Sequence, residues 1–559
     1  MNRIPATVIA IACTLYLAAA DGEPIADTLP DLVISGEGNY WQTGTRTEVP
    51  DENAVVVVNE NDTKQVWEGF GGTFNEMGWD ALSDAPSEIP AAMKLLFDAD
   101  EGANFMYGRV PVGASDYAMD WYTLDETADD YEMKHFSIDH DRNYLIPFIR
   151  AALEVNPDLH LWASPWIPPL WMKDPSGNMK DDPKTLEAYA LYIARFIEEY
   201  GSENIRIEAI HPQNEPGFAR VRWTSPLFIG FIKNYLGPKL EEREIDAEIW
   251  CGTMSHPDDG EIAKACMNDD EAMKYITGFG LQWNLDSIVA TLSQKGRVWQ
   301  TEHRCGNYNF AAKYWDQSRY DPDKPQNDHR YGEESWLHIR DWVRAGVTSY
   351  CAWNMVLDTY GKSLGKWPQN ALLVVDRTTK KLIATPAYYV FRHFSQYIAP
   401  GATHIGCGTI GINALAFLNP DGSIITEILN KTDSLQTITI AVRGKGYRFE
   451  VPAHGWATLR VGGTTVSRNS TVGNRHQDDR RGVRITPARD GCMITLPPSR
   501  QQGRIELLTP SGRLLESQAL PEGCRKFQFS GHRDMPAGLL IVRVVSEGET
   551  VTLHFIAKH

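Results

Sequence analysis

The central part of the chain alternates short apolar runs with segments of helical periodicity. Eight apolar runs lie at 66–72, 105–113, 159–166, 205–216, 247–253, 278–283, 297–303 and 349–355. Between them lie amphipathic segments such as 184–200, which follows Asp182-Pro183 and precedes Gly201, and 333–345, which precedes Gly346. Eight buried strands that alternate with helices predict an α/β fold, a (β/α)8 TIM barrel over 66–398, in preference to a doubly wound sheet.

Strand patterns replace this alternation on both sides of the barrel. Residues 21–65 and 399–463 contain short runs rich in β-branched residues, with a hairpin signal at Pro420-Asp421-Gly422. The polar run 464–482 has no apolar periodicity and is typical of a linker. Residues 483–559 again read as strands, which predicts a small C-terminal all-β domain.

The first twenty residues have the pattern of a secretory signal peptide. A basic residue, Arg3, precedes an apolar run that ends in Ala18-Ala19-Ala20, and the run is too short for a membrane span. A lipoprotein with Cys13 as the acceptor is disfavoured because the apolar run continues past it. The sequence therefore predicts a secreted or cell-surface protein with no stable membrane insertion.

Composition narrows the class of partner. The chain has 54 basic and 73 acidic residues, a formal net charge of −19, which argues against binding nucleic acid. Its 17 tryptophans suit the binding of neutral sugars, although aromatic cores use them too.

No cysteine pair has the spacing of a zinc site, and the GxGxxG match at 406–411 precedes a strand pattern, so we expect no metal and no cofactor. Cys492 and Cys524 are candidates for a disulfide in the last domain.

Two glutamates stand at the ends of predicted barrel strands, where barrel enzymes carry their reacting groups. Asn214-Glu215-Pro216 ends the fourth strand, and Thr301-Glu302-His303 ends the seventh. If these strands face each other across the barrel mouth, the two carboxyl groups can converge to the separation of about 5–5.5 Å that retaining glycosidases use. The alternative is that each glutamate is a solvated loop residue.

Six ordered segments resemble glycoside hydrolase family 30, the group of glucosylceramidase-like and β-1,6-glucanase-like enzymes. They lie at 66–79, 107–122, 161–173, 211–216, 300–307 and 351–358. The resemblance implies that residues 31–65 and 400–462 form a β-sandwich beside the barrel. It also implies a retaining mechanism with Glu302 as nucleophile and Glu215 as general acid/base.

Further substrate-binding residues follow from the chemistry and from the resemblance. The family implies that Asn214 binds the sugar 2-hydroxyl and that Asp116 binds distal hydroxyls; a turn asparagine and a capping aspartate are the alternatives. A buried Arg109 needs an anionic partner, for which the nucleophile is a candidate. Three tryptophans at strand ends are candidates for the walls of the sugar pocket, or else pack in the core: Trp166, Trp283 and Trp353. We expect His211 and His303 to be hydrogen-bonding supports.

One position departs from the family pattern. Where many relatives have a tyrosine that bonds the nucleophile, this chain has Asn284 after Trp283. Its amide can donate, but with a different reach, so we expect Asn284 to contact the substrate site. The polar segment 319–330 is expected to form part of the cleft rim.

The last domain resembles the sorting domain that some secreted bacterial proteins carry for type IX secretion, which would make that secretion machinery a partner; a small spacer or sugar-binding domain is the alternative. The whole sequence predicts a secreted retaining glycosidase that cleaves β-glucosidic bonds in a β-1,6-glucan or a glucosylceramide, in carbohydrate or sphingolipid metabolism. A β-xylosidase or galactanase, or a weakly catalytic carbohydrate-binding surface protein, remain the alternatives.

Overall fold

A computed structural model describes residues 29–218, 220–303 and 325–463, and seven β-strands between 484 and 557. The predicted signal peptide, the linker 464–482 and the first half of the segment 319–330 lie outside the described residues. Within these ranges, no helix is both long and apolar enough to cross a membrane.

The described chain opens with four strands and then enters the barrel. The first four are β1 (Leu32–Gly36), β2 (Asn39–Thr43), β3 (Thr47–Val49) and β4 (Val56–Val66). The barrel strands are β5 (Gly69–Thr73), β6 (Tyr107–Val112), β7 (His160–Pro165), β8 (Ile207–Ile210), β9 (Glu248–Met254), β10 (Ile276–Gln282), β11 (Arg297–His303) and β12 (Ser349–Ala352).

The eight strands β5 to β12 pair in parallel in chain order, and β12 pairs with β5 to close the barrel. The predicted (β/α)8 fold is therefore confirmed, and each of the eight apolar runs overlaps one barrel strand. One detail of the expectation is wrong. Strands β8 and β11 do not face each other, because in the closed order β8 lies opposite β12, and β9 and β10 separate β8 from β11.

Helices cover the outside of the barrel. They are α1 (Glu76–Ser83), α2 (Ile89–Phe97), α3 (Leu145–Val155), α4 (Pro183–Ser202), α5 (Ser225–Phe231), α6 (Gly237–Glu242), α7 (Pro257–Met267), α8 (Val289–Leu292), α9 (Pro325–Ala345) and α10 (Pro386–Tyr397). A π-helical turn, Ile232–Leu236, joins α5 to α6. Short 3-10 helices occur at Pro86–Glu88, Asp141–Asn143, Leu170–Met172, Ala272–Lys274 and Asp286–Ile288.

Local signals explain where the long helix α4 begins and why it packs. The Asp182 carboxylate caps it by accepting a hydrogen bond of 3.0 Å from the Thr185 amide, and Pro183 occupies the first turn. The helix continues through Gly201 to Ser202, slightly beyond the predicted stop. Its apolar face, which includes Tyr189, is buried against the barrel core.

Aromatic side chains fill the lower half of the barrel. Trp250 and Trp299 stack with their ring centroids 3.7 Å apart, and Trp162 and Tyr107 pack in the same cluster. These residues lie near the start of their strands, so they fill the end of the barrel at which the strands begin. The carboxyl ends of the strands are left to line a site.

The sandwich unit draws on both flanks of the barrel. After a small sheet of β13 (Val356–Asp358), β14 (Leu373–Asp376) and β15 (Lys381–Ala384), the chain forms β16 (Thr403–Thr409), β17 (Asn413–Leu418), β18 (Ile424–Leu429), β19 (Gln436–Val442), β20 (Lys445–Val451) and β21 (Trp456–Val461). These six strands join β1–β4 in one ten-stranded sheet, in the order β2-β1-β21-β18-β17-β16-β4-β19-β20-β3. The predicted attached all-β unit is confirmed.

A buried chain of hydrogen bonds ties the barrel to this sheet. His393 on α10 contacts the Ser35 hydroxyl at 2.9 Å through Nε2 and the Thr458 hydroxyl at 2.7 Å through Nδ1. The Thr458 hydroxyl also lies 2.8 Å from the Glu427 carboxyl group. All four side chains are fully buried. Burial raises the pKa of Glu427 to about 8, so this carboxyl is neutral over much of the ordinary pH range.

The C-terminal region contains β22 (Arg484–Ala488), β23 (Gly491–Thr495), β24 (Gly503–Leu508), β25 (Leu514–Leu520), β26 (Lys526–Ser530), β27 (Gly538–Ser546) and β28 (Glu549–Ala557). They form two antiparallel sheets, β22-β23-β26 and β25-β24-β27-β28. This agrees with the predicted small all-β fold. The type IX sorting role stays a prediction, and the side chains of Cys492 and Cys524 lie outside the described residues.

Candidate active site

Glu302 lies at the carboxyl end of β11 and is 5% exposed. Its Oε2 contacts the Arg109 guanidinium, and its Oε1 accepts a hydrogen bond of 3.1 Å from Trp283 Nε1. Burial raises the pKa of Glu302, and the contacts with Arg109 and Trp283 oppose that rise. The carboxylate therefore has a cation on one oxygen and a neutral donor on the other.

Arg109, on β6, is fully buried and organises this corner of the site. It donates from Nη2 to Asn214 Oδ1 at 2.7 Å and from Nε to Ser164 Oγ at 3.0 Å, besides its contact with Glu302. Its guanidinium carbon lies 4.3 Å from the ring centroid of Trp166. A buried cation is costly unless paired, and here the Glu302 carboxylate supplies the charge.

Asn214 is held with a fixed amide orientation. Its Oδ1 accepts from Arg109 and also from the Thr253 hydroxyl at 2.7 Å, and the residue is buried. Because two donors occupy the oxygen, the amide nitrogen is the group of Asn214 that is suited to donate to a ligand hydroxyl.

Glu215 follows β8 in a backbone conformation that non-glycine residues seldom adopt, with a φ of 48°. Its amide donates to the Thr253 carbonyl at 2.9 Å, and its Oε1 accepts from Gln282 Nε2 at 3.0 Å. Burial, followed by the negative charge of Glu302, raises the pKa of Glu215 to about 7. Strained backbone of this kind concentrates at functional sites, and here it holds a carboxyl group of raised pKa close enough to Glu302 to sense its charge.

Two consecutive residues, the last of β10 and the one that follows it, contact the two carboxyl groups. Gln282 bonds Glu215, and Trp283, whose φ is 54°, bonds Glu302. The pairing of β10 with β11 shifts register between Leu281 and Gln282. In a regular strand, consecutive side chains point to opposite faces. The irregularity allows the neighbouring side chains of Gln282 and Trp283 to reach both acids at the same end of the barrel.

Asn284 is not the residue that donates to Glu302, and its predicted contact with the substrate site stays a prediction. Its side chain is exposed, and among the described residues it is Trp283 that donates to the Glu302 carboxylate. The left-handed turn at Trp283 brings its indole onto the acid and carries Asn284 outward. Trp283 is thus in the site as predicted, as a hydrogen-bond donor.

Trp166 and Trp353 stack on each other, with centroids 5.3 Å apart and an interplanar angle of 24°. Both are 2% exposed, and both rings lie within 5.4 Å of the Arg109 guanidinium carbon. They therefore pack against Arg109 and support it, and expose little surface that could form a wall of the sugar pocket.

Asp116 lies in the loop after β6, with a side chain that is 27% exposed. Burial and the charge of Glu215 raise its pKa to about 6. Arg220 Nη2 lies 4.0 Å from it, and the Arg220 guanidinium carbon lies 3.5 Å from the ring centroid of Trp121. Sequence reasoning missed Arg220, since no periodicity brings it near residues about a hundred positions earlier.

The histidines beside the glutamates have supporting positions. His211 contacts the Gly252 carbonyl at 2.6 Å through Nδ1, and burial lowers its pKa to about 3, so the ring is neutral. The His303 ring packs 4.2 Å from that of His338. In the described part of the chain, no three His, Cys, Asp or Glu side chains are grouped as metal ligands would be. Four cysteines there are free thiols: Cys251, Cys266, Cys351 and Cys407.

These contacts pair a carboxyl group whose pKa is raised to about 7 with a second carboxyl group whose ionised form an arginine favours, at the carboxyl end of a (β/α)8 barrel. That arrangement defines a glycoside hydrolase barrel. The chain belongs to glycosyl hydrolase family 30. Residues 67–398 match the TIM-barrel domain of that family, and residues 401–459 match its beta sandwich domain.

Curated relatives fall into two groups by name. The chain is 28% identical to "Putative glucosylceramidase 3" of Caenorhabditis elegans, over 71% of this chain and 79% of that protein. It is 25% identical to "Lysosomal acid glucosylceramidase" of Mus musculus, over 68% and 78%. It is 24% identical to an "Endo-1,6-beta-D-glucanase" of Aspergillus fumigatus, over 76% and 93%.

Solved structures share the fold. SrfJ from Salmonella typhimurium superposes with a TM-score of 0.69 at 22% identity, over 78% of this chain and 99% of that one. "The endo-beta1,6-glucanase BT3312" superposes with a TM-score of 0.65 at 22% identity, over 77% and 98%. At these identities the likeness concerns the barrel and sandwich architecture.

Proposed function

We propose that this protein is a secreted retaining glycosidase that hydrolyses β-glucosidic bonds by double displacement. The observation that carries the proposal is the pairing of Glu215, whose pKa is about 7, with Glu302, which Arg109 and Trp283 contact. One group can donate a proton while the other attacks.

In the first step Glu302 Oε attacks the anomeric carbon, and Glu215 protonates the departing glycosidic oxygen. The bond to the leaving group breaks, and a glucosyl ester forms on Glu302. Its negative charge is then gone, so the pKa of Glu215 falls and the deprotonated group can accept a proton from water. That water opens the ester and returns both carboxyl groups to their starting states.

Arg109 and Trp283 have defined parts in this cycle. Their donors favour the ionised form of Glu302 and fix its orientation before attack, so that little reorganisation is needed. As the ester forms, Arg109 keeps its bonds to Asn214 and Ser164. The amide nitrogen of Asn214 is suited to the sugar hydroxyl next to the reacting carbon.

A glucose-type substrate is favoured because the named relatives divide between glucosylceramidases and endo-1,6-β-glucanases. The proposed substrate is accordingly a β-1,6-glucan or a glucosylceramide-type β-glucoside. The sequence of residues 1–20 supports export, with Asp21 as the first residue of the mature chain. N-terminal sequencing of the protein recovered outside its native cell tests that part of the proposal.

The catalytic roles are tested by chemical rescue with azide on an activated aryl β-glucoside. Glu302→Gly should lose turnover by at least about 10³-fold and, with azide, release the α-glucosyl azide. Glu215→Ala should give the β-glucosyl azide, because azide then replaces the water of the second step. Glu261→Gln, an exposed glutamate on α7 that pairs with Lys264, is the matched control and should keep full activity. Undiminished hydrolysis by Glu302→Gly, or the opposite anomers, contradicts the assignment.

The sugar and linkage are tested on the wild-type enzyme. Aryl β-glucoside, β-xyloside and β-galactoside are compared with linear β-1,3-, β-1,4- and β-1,6-glucans and with glucosylceramide in detergent. We expect preference for the glucosides. Faster hydrolysis of the xyloside or galactoside would overturn the glucosidic part of the proposal and leave the double-displacement part standing.

A further inference from the structure

An aromatic side chain stands exposed in the turn that carries the general acid/base. Phe218 is 59% exposed, and its ring stacks on His256 with centroids 3.7 Å apart and an interplanar angle of 20°. The Phe218 amide donates to the Glu215 carbonyl at 3.1 Å, so the two residues share one tight turn. We call the stacked pair Phe218–His256 the aromatic platform.

A buried carboxylate fixes this platform. Asp259 on α7 is fully buried, and it accepts hydrogen bonds from the Gly217 amide and, at 2.8 Å, from the Ser255 amide. It therefore ties the loop after β8, which carries Phe218, to the loop after β9, which carries His256. A Cβ at Gly217 would lie 2.6 Å from Asp259 Oδ1, so this approach requires glycine.

The platform is also linked to the proton donor. The Ser255 hydroxyl lies 2.6 Å from His256 Nδ1, and a hydrogen bond from Ser255 to Glu215 lowers the pKa of that carboxyl. Exposed single apolar residues are ordinary on protein surfaces. Phe218 differs because a stacked ring, a backbone bond and a buried tether hold it facing solvent beside the acid.

The position of the platform selects its ligand. This inference rests on the proposed function, in which Glu215 protonates the glycosidic oxygen. The first group of the leaving part of the substrate must therefore lie on the Glu215 side of the site. We propose that Phe218, backed by His256, is the binding platform for the first sugar ring of a carbohydrate leaving group. The flat C–H face of a pyranose packs on an aromatic ring while its hydroxyls stay in water.

The surroundings favour a sugar over an alkyl chain. The neighbouring residues Pro257 and Asp258 are exposed, and Arg220 follows two positions after Phe218. One ring among charged and polar neighbours suits an amphiphilic pyranose, whereas a lipid chain would need a continuous apolar strip. The proposed platform therefore favours a glucan or oligosaccharide substrate over a glycolipid.

The test compares leaving groups with and without a ring. Phe218→Ala should lower kcat/KM about tenfold for the β-linked glucose disaccharide that the wild type cleaves fastest. It should leave kcat/KM for β-glucosyl fluoride unchanged, since fluoride has no ring to stack. Phe218→Tyr should restore the disaccharide value, and Ile410→Ala, which removes a 74% exposed side chain on the sandwich, should change neither.

A second readout is the fate of the glucosyl-enzyme, which forms before this measurement begins and so does not report on protonation of the leaving group by Glu215. When glucose is added as an acceptor, the glucosyl-enzyme partitions between transfer and hydrolysis, and Phe218→Ala should shift this ratio toward hydrolysis. An equal loss on the fluoride and the disaccharide, no loss on either, or a larger loss on octyl β-glucoside than on the disaccharide overturns the proposal. Wild-type turnover of the fluoride reports separately on the proposed function.

Discussion

Trp283 Nε1 donates a hydrogen bond of 3.1 Å to Oε1 of Glu302. The indole thus occupies the place beside the carboxylate that the sequence comparison assigned to Asn284. An indole N–H has no accessible acidity and can only donate, so it favours the ionised form of Glu302 without competing for its proton.

Replacing this donor should shift the acidic side of the activity profile. Trp283→Phe removes the N–H but keeps an aromatic ring, so the pKa of Glu302 rises and the acid limb of kcat/KM moves to higher pH. We expect a loss of about 10- to 100-fold at the optimum. The measurement is kcat/KM for an aryl β-glucoside between pH 4 and 9.

Asn284→Ala provides the comparison for that experiment. Its exposed side chain makes no contact with Glu302 in the described structure, so the acid limb should stay where it is in the wild type. If Asn284→Ala moves the limb and Trp283→Phe does not, the hydrogen bond described here is not the one that operates in solution.

The alkaline side of the profile should belong to Glu215. Its pKa of about 7 means that the proton donor is lost as the pH rises through neutrality, and kcat/KM should fall above that value. Trapping Glu302 as a 2-deoxy-2-fluoroglucosyl ester removes its charge, so the pKa of Glu215 should then drop. Carbon-13 NMR titration of labelled glutamate before and after trapping measures this drop, and an unchanged pKa would contradict the coupling.

A shared proton should make the barrel more stable in mild acid. The single Tyr122 hydroxyl lies 2.6 Å from Glu76 Oε1 and 2.7 Å from Asp141 Oδ1, so one of these carboxyl groups must itself carry a proton for both hydrogen bonds to form. Burial raises the pKa of Asp141 to about 7. The proton is retained in the folded protein and lost in the unfolded chain, so the stabilisation is complete below about pH 4 and disappears as the pH rises through 7.

This prediction is checked by denaturant unfolding between pH 5 and 8. In the wild type the contribution of Asp141 to the free energy of unfolding should decline by up to about 1.4 kcal/mol per pH unit over this window. Asp141→Asn keeps the neutral form at every pH and should flatten that decline. A slope identical in the two proteins would show that Asp141 is ionised in the folded state.

Glu427 should have the same effect at the boundary between barrel and sandwich. Its pKa of about 8 implies stabilisation that is complete below about pH 4.5 and lost as the pH rises through 8. Glu427→Gln preserves a neutral partner for Thr458, so its melting temperature should fall less than that of the wild type between pH 6 and 9. Glu261→Gln, an exposed change, should reproduce the wild-type curve.

Much of the architecture was already determined by the sequence. Eight apolar runs overlap the eight barrel strands, because a strand buried on both faces is apolar over most of its length. The strand-end position of Glu302 was equally visible, since an acid at the end of such a run has no packing reason to be there, whereas Glu215 lies in the loop after β8, which ends at Ile210. Helix α4 began at the predicted cap, Asp182.

The tertiary structure decided which side chains serve those two acids. The left-handed turns at Glu215 and Trp283 and the register shift in β10 reverse the direction of single side chains, which a periodic pattern does not encode. They placed the Trp283 indole on Glu302 and turned Asn284 outward. Phe218 met His256, and Trp121 met Arg220, only because loops that follow different strands converge above the barrel, and such contacts depend on chain closure rather than on spacing along the sequence.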